Sequence, residues 1–80
     1  MNLDSLTEFL VKSLVSNPDM VSVKQFDDEE QIVIEVLVSS EDMGKVIGKR
    51  GMIANAIRTI VQASSRLNNG AYVKINIDSF

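Results

Sequence analysis

Two glycines enclose two adjacent cations at Gly48-Lys49-Arg50-Gly51, with an apolar pair on either side, Val46-Ile47 before and Met52-Ile53 after. These residue types at this spacing suit the non-covalent gripping of a phosphodiester. Glycines let another backbone come close because no Cβ intrudes. A helix that starts here offers unsatisfied N–H groups and a partial positive charge. Lys49 and Arg50 add full positive charge at the same place, so phosphate would lie over the turn. Val46, Ile47, Met52 and Ile53 would wall a shallow groove. Lys45, three residues before the first glycine, is placed for its rim. Arg58, more than one helical turn beyond the loop, either reaches a bound backbone or solvates the outer helix face.

Other chemistries find no team of residues. The chain has no Cys and no His, which removes disulfides, thiolate metal sites and the commonest general base. Ser64 and Ser65 therefore have nothing to activate them. The run from Gly44 to Arg50 superficially suggests a nucleotide P-loop. Its spacing lacks one residue, and Arg50 stands where a Mg-binding Ser or Thr belongs. Asp27-Asp28-Glu29-Glu30 lacks the alternating ligand spacing of a calcium loop and reads as a solvated turn. Catalytic residues, metal sites and cofactors are accordingly expected to be none, and the chain is not read as an enzyme.

Eighty residues make one small domain, 1–80, and 45% hydrophobic with 24% charged residues is the balance of a folded chain rather than a disordered one. The net charge of −3 argues at first against a polyanionic partner. Its distribution reverses that: residues 1–43 hold ten acids and two bases, a net of −8, whereas residues 44–80 hold six bases and one acid, a net of +5. A segregated chain can present a basic surface while staying acidic overall. The first twelve residues lack a basic stretch and carry two acids, so they do not read as a signal peptide. The apolar runs are too short for a membrane span. A cytoplasmic protein is the default expectation.

The elements that must position the loop follow from periodicity. Asn2 or Asp4 can cap a first helix along which Leu3, Leu6, Leu10 and Leu14 recur, widened by Phe9, Val11 and Val15 and ended at Asn17-Pro18-Asp19. Residues 20–26 alternate as a strand, and 27–30 are a polar turn. Residues 31–39 form the clearest strand, with Ile32, Ile34, Val36 and Val38 on one face, so the pair reads as an antiparallel hairpin. Ser39 or Ser40 caps a short helix over 41–47. A longer helix restarts at Gly51 or Met52, with Ile53, Ile57, Ile60, Val61, Ser64 and Leu67 on one side, and stops at Asn68-Asn69-Gly70. Residues 72–78 alternate again through Val73, Ile75 and Ile77. Tyr72 and Phe26 lie at strand ends, where they stack on a base or cover an open sheet face.

The order α-β-β-α-α-β predicts an α+β fold, a three-stranded sheet covered on one face by three helices, with Ile32, Ile34, Val36, Ile57, Val61, Val73 and Ile75 in the core. Val46-Ile47-Gly48-Lys49-Arg50-Gly51, the apolar helix that follows it and this element order resemble the KH domain, whose GxxG loop clamps about four nucleotides of backbone. The order is similar to the type II form, and the size to the small stand-alone bacterial KH proteins of the KhpA type. The resemblance spans nearly the whole chain. It implies binding of single-stranded RNA in post-transcriptional regulation or as an RNA chaperone, with Gly48, Lys49, Arg50 and Gly51 at the backbone. It also implies a homodimer or a heterodimer with a larger KH-containing protein. The competing reading is a protein-interaction or dimerisation module that uses the KH fold as a scaffold. Ala54 departs from the Ile or Val that many KH domains carry three residues after the second glycine.

Overall fold

The computed structural model describes residues 2–68 and 70–80. In chain order the elements are α1 (Leu3–Lys12), β1 (Ser22–Asp27), β2 (Gln31–Val38), α2 (Met43–Ile47), α3 (Met52–Asn68) and β3 (Tyr72–Ser79). Single 3-10 turns at Pro18–Met20, Ser40–Asp42 and Lys49–Gly51 link them. The expected order α-β-β-α-α-β is the observed one.

The sheet order is β1-β2-β3. β1 and β2 pair antiparallel, from Ser22 opposite Leu37 to Asp27 opposite Ile32, across the acidic turn, where the Asp28 N–H donates to the Gln31 carbonyl. β3 lies parallel to β2, from Gln31 beside Tyr72 to Val38 beside Ser79. A parallel neighbour requires a crossover, and α2, the glycine turn and α3 are that crossover. The fold thereby places the turn between two helices that both belong to one connection. Ile32, Ile34, Val36 and Val38 are buried beneath the helices with Val73 and Ile75, while Glu35, Phe26, Tyr72 and Lys74 stand on the face that no helix covers. All seven expected core residues are buried.

The buried stripes of α1 and α3 match the expected ones only in part. In α1 the buried stripe is Leu3, Thr7 and Val11, with Leu6 and Leu10 beside it, and Phe9 points to solvent. Thr7 is tolerated in the core because its hydroxyl donates to the Leu3 carbonyl at 2.8 Å. The helix stops at Lys12, well before Pro18, so Leu14 leaves the stripe. Beyond that end the N–H groups of Ser16 and Asn17 donate to the Asp42 carboxylate rather than to a helical carbonyl. Pro18 opens the following 3-10 turn, which takes Met20 out of β1.

In α3 the buried stripe is Ala54, Ile57, Val61 and Ser65. Ile60 and Leu67, expected inside, are 47% and 87% exposed. Each helical residue turns the stripe by about 100°, so a line through Val61 carries Ile60 off it. Small Ala54 and Ser65 let α3 lie close to its neighbours. Gln62 and Ser65 tie α3 to the start of β3: the Gln62 Nε2 donates to the Ala71 carbonyl at 3.0 Å, the Val73 N–H donates to the Gln62 Oε1 at 2.8 Å, and the Ser65 hydroxyl donates to the Ala71 carbonyl at 2.7 Å. α3 ends at Asn68, and the Gly70 N–H returns to the Ser65 carbonyl at 2.9 Å. Asn69 of the expected stop signal lies outside the described residues.

Candidate nucleic-acid interface

α2 ends because Gly48 has φ 76° and ψ 174°, a region that side chains other than glycine's scarcely enter. A Cβ at this position would lie 2.6 Å from Ile53 Cγ1 and 2.9 Å from both Cβ and Cδ1 of the same residue. Gly48 is thus required twice, by its dihedrals and by the Ile53 side chain seated beneath it. Gly51 has φ 74°, but a Cβ there would meet only the Asn55 Nδ2, at 3.9 Å. The Gly51 N–H donates to the Gly48 carbonyl at 3.1 Å, which closes the turn.

Between them Arg50 adopts φ 59° and ψ 23°, the only positive φ of a non-glycine residue among the described residues. The left-handed conformation disfavours a side chain by about 1–2 kcal/mol, and here it directs Arg50 out of the turn beside Lys49. Both are exposed, and among the described residues neither forms an ion pair. The 17-residue α3 starts directly after them, so the positive end of its dipole adds to the same spot. The turn holds two unneutralised cations on open backbone, which suits an anionic chain lying across it.

The remaining expected residues divide. Met52 is 67% exposed, and Ile47 and Ile53 are half-buried, so these three can face a ligand. Val46 is 0% exposed and belongs to the core cluster. It packs into the core and cannot wall a groove beside the turn, contrary to expectation, because the short α2 turns that side chain inward. Lys45 is engaged within the chain: its ammonium lies 3.6 Å from Asp42 Oδ1 and donates to the Ser16 hydroxyl. Arg58 neither reaches out freely nor merely solvates a helix. Its Nε and Nη2 donate to the Ile75 carbonyl at 3.3 and 3.2 Å, and its Nη1 donates to Asn55 Oδ1 at 3.3 Å.

Two residues escaped the sequence reading. Asp42, read as a first-turn acid, is 1% exposed. Its carboxylate accepts the Ser16 N–H at 3.1 Å, the Asn17 N–H at 3.0 Å and the Ser39 hydroxyl at 3.1 Å. The Ser16 N–H is the largest influence holding this carboxyl below its usual range; burial opposes it, and the Asn17 N–H, the Ser39 hydroxyl and the Lys45 charge reinforce it. An acid that anchors a segment 25 and 26 residues earlier carries no local signal. Asn55 sits one turn into α3 with its amide beside Gly51, and its only sequence signal is the four-residue spacing. Among the described residues no cluster of His, Cys, Asp or Glu could hold a metal ion, and no helix is long and apolar enough to cross a membrane.

The mixed sheet, the helix pair and the two-glycine turn between the helices define a type II KH domain. The family described as KhpA/KhpB, KH domain, matches residues 4–77, and the chain belongs to it. Its relatives include the RNA-binding protein KhpA of Clostridium perfringens, 51% identical over 67 residues that make up 84% of this chain and 89% of that one. The RNA-binding protein KhpA of Caldanaerobacter subterraneus is 49% identical over 63 residues, 79% of this chain and 84% of that one. That of Treponema pallidum is 37% identical over 75 residues, 94% of each. Among solved structures, Era in complex with MgGDPNP and nucleotides 1506–1542 of 16S ribosomal RNA superposes with a TM-score of 0.72. At 18% identity over 98% of this chain and 30% of that one, the likeness is one of fold.

Proposed function

We propose that this protein binds single-stranded RNA by laying about four nucleotides of backbone over the Gly48–Gly51 turn. The observation that carries the reading is the pair of unpaired, exposed cations, Lys49 and Arg50, held between two positive-φ glycines at the start of α3. Relatives named RNA-binding protein KhpA support it. Gly51 admits the backbone, Lys49 and Arg50 hold phosphates, and Ile47, Met52 and Ile53 offer the apolar side. Lys45 and Arg58 act through the chain itself. The role is binding rather than catalysis, exercised by residues 1–80 as one KH unit in the cytoplasm, in post-transcriptional regulation or as an RNA chaperone.

The test is the double replacement Lys49→Asp, Arg50→Asp. Both side chains are exposed, so the melting temperature changes by the equivalent of about 0.5 kcal/mol or less. Affinity for a fluorescein-labelled single-stranded RNA, read by anisotropy, falls below detection. If each cation neutralises one phosphate, the wild-type salt slope contains about 0.7 from each, and the variant loses both contributions. Unchanged affinity and slope in a folded variant would refute the loop as the binding site.

Assembly belongs to the same proposal. Phe9, Ile60 and Leu67 are exposed apolar side chains on two helices, and Met52 is one beside the turn. They favour a homodimer or a heterodimer with another KH-containing chain. Light scattering at micromolar concentration is expected to give twice the 8.8 kDa of one chain. A monomer mass together with a pull-down that recovers no KH partner counts against assembly.

A further inference from the structure

The two glycines of the turn have different neighbours. The space a side chain at Gly48 would need is filled by Ile53, whereas the flank of Gly51 is open and is bordered only by the Asn55 Nδ2. The orientation of that amide is set by chemistry. Arg58 has donors and no acceptor, so the end of the Asn55 carboxamide that meets its Nη1 must be the oxygen. The guanidinium is itself held by two bonds to the Ile75 carbonyl of β3. The NH2 end is therefore turned toward Gly51, and among the described residues it has no acceptor within the chain.

We infer that Asn55 is a ligand-contacting residue: its Nδ2 donates to a phosphate oxygen of the nucleotide that crosses Gly51, with Arg58 as the positioning residue that fixes the amide. This rests on the RNA reading above. A neutral donor at this place adds a directional contact without adding charge. It strengthens binding, and it leaves the salt dependence to Lys49 and Arg50.

The test compares Asn55→Ala and Asn55→Asp with wild type, using the same labelled RNA. Asn55→Ala removes the donor without changing charge. Affinity is expected to fall about tenfold, as for a hydrogen bond to a charged group, with the salt slope unchanged. Asn55→Asp keeps the acceptor that Arg58 needs but replaces the donor, and it binds more weakly still. Ala56→Asp, on the exposed neighbouring residue, reports how much of that loss is charge alone. If Asn55 served only to hold Arg58, Asn55→Asp would bind no more weakly than Ala56→Asp, and that result overturns the inference. The losses in Arg58→Ala and Asn55→Ala should be non-additive in the double variant, because one acts through the other; additive losses remove Arg58 from the role. In the unmutated protein, NMR should show the Asn55 side-chain amide pair shifting on RNA addition, and a resonance pair that stays still also overturns it. The Lys49→Asp, Arg50→Asp protein runs alongside. If it loses RNA while the Asn55 variants match their controls, only this inference fails; if it binds as wild type does, both fail.

Discussion

Replacing Gly48 with Ala should destabilise the fold far more than the same change at Gly51. At Gly48 two effects combine. The dihedrals, φ 76° and ψ 174°, lie where a non-glycine residue is disfavoured by about 1–3 kcal/mol. The new Cβ also arrives 2.6 Å from Ile53 Cγ1, inside contact distance, and relieving such an overlap typically costs about 1–3 kcal/mol. Taking the lower middle of both ranges gives about 3 kcal/mol, a melting-temperature drop of roughly 10–20 °C for a domain of this size. At Gly51 only the positive φ counts, about 1 kcal/mol, because a Cβ there meets nothing closer than 3.9 Å. Thermal unfolding followed by circular dichroism measures both. Ile53→Ala supplies an internal check: it removes Cγ1 and Cδ1, so in that background the Gly48→Ala penalty should shrink by about 1 kcal/mol. Equal melting temperatures for the two alanine variants, or strict additivity with Ile53→Ala, would show that the Ile53 contact does not act as argued.

Asp42→Asn should flatten the acid limb of stability. The folded carboxyl titrates below its unfolded value of about 3.9. Its contribution is therefore complete above that pH and is lost as pH falls through the lower folded value. The wild type thus loses stability below about pH 4 through this group, and Asn removes that component; an acid limb of the same steepness in denaturant titrations of Asp42→Asn refutes the assignment. Gln62→Ala should leave the Val73 N–H and one bond to the Ala71 carbonyl unmade, at about 1–2 kcal/mol. Hydrogen exchange at Val73 should accelerate ahead of the β2 amides, and unchanged protection there would show that Gln62 does not cover this stretch of β3.

The parts of this fold that could be read in advance are those in which a residue's role depends on its close neighbours in sequence. Alternation in Gln31–Val38 and Tyr72–Ser79 places both strands, because a period of two is unmistakable where one face is buried. The turn is legible as a helix break for the same reason: Gly48 and Gly51 both take positive φ between α2 and α3. What misled was the angular position of each helix. Leu3, Leu6, Leu10 and Leu14 recur at helical spacing, yet Thr7 and not Leu14 is buried, since a hydroxyl that bonds back to Leu3 is silent in a hydrophobic pattern. The burial of Asp42 is set by Ser16 and Asn17, 26 and 25 residues earlier, and so leaves no local trace. Arg58 is similar. As a lone helical Arg it reads as surface, and only the parallel packing of β3 brings the Ile75 carbonyl within its reach.

The acidic net charge ceases to be an objection once the charges are placed. Asp42, the acid nearest the turn in sequence, is buried against the N–H groups of Ser16 and Asn17 and faces Lys45, so it projects little field toward Lys49 and Arg50. Asp27, Asp28, Glu29 and Glu30 border one concavity with Gly70 and Ala71, just past the C-terminal end of α3. The cationic turn is at the other end of that helix, whose 17 residues span about 25 Å at about 1.5 Å each. That separation is more than twice the Debye length of about 8–10 Å at ordinary ionic strength. A phosphate at Gly51, if bound as proposed, would meet Lys49, Arg50 and the positive end of α3. Long α3 thus serves as a spacer as well as a packing element. It keeps Asp27, Asp28, Glu29 and Glu30, four of the eleven acids, away from the place where an anion would bind.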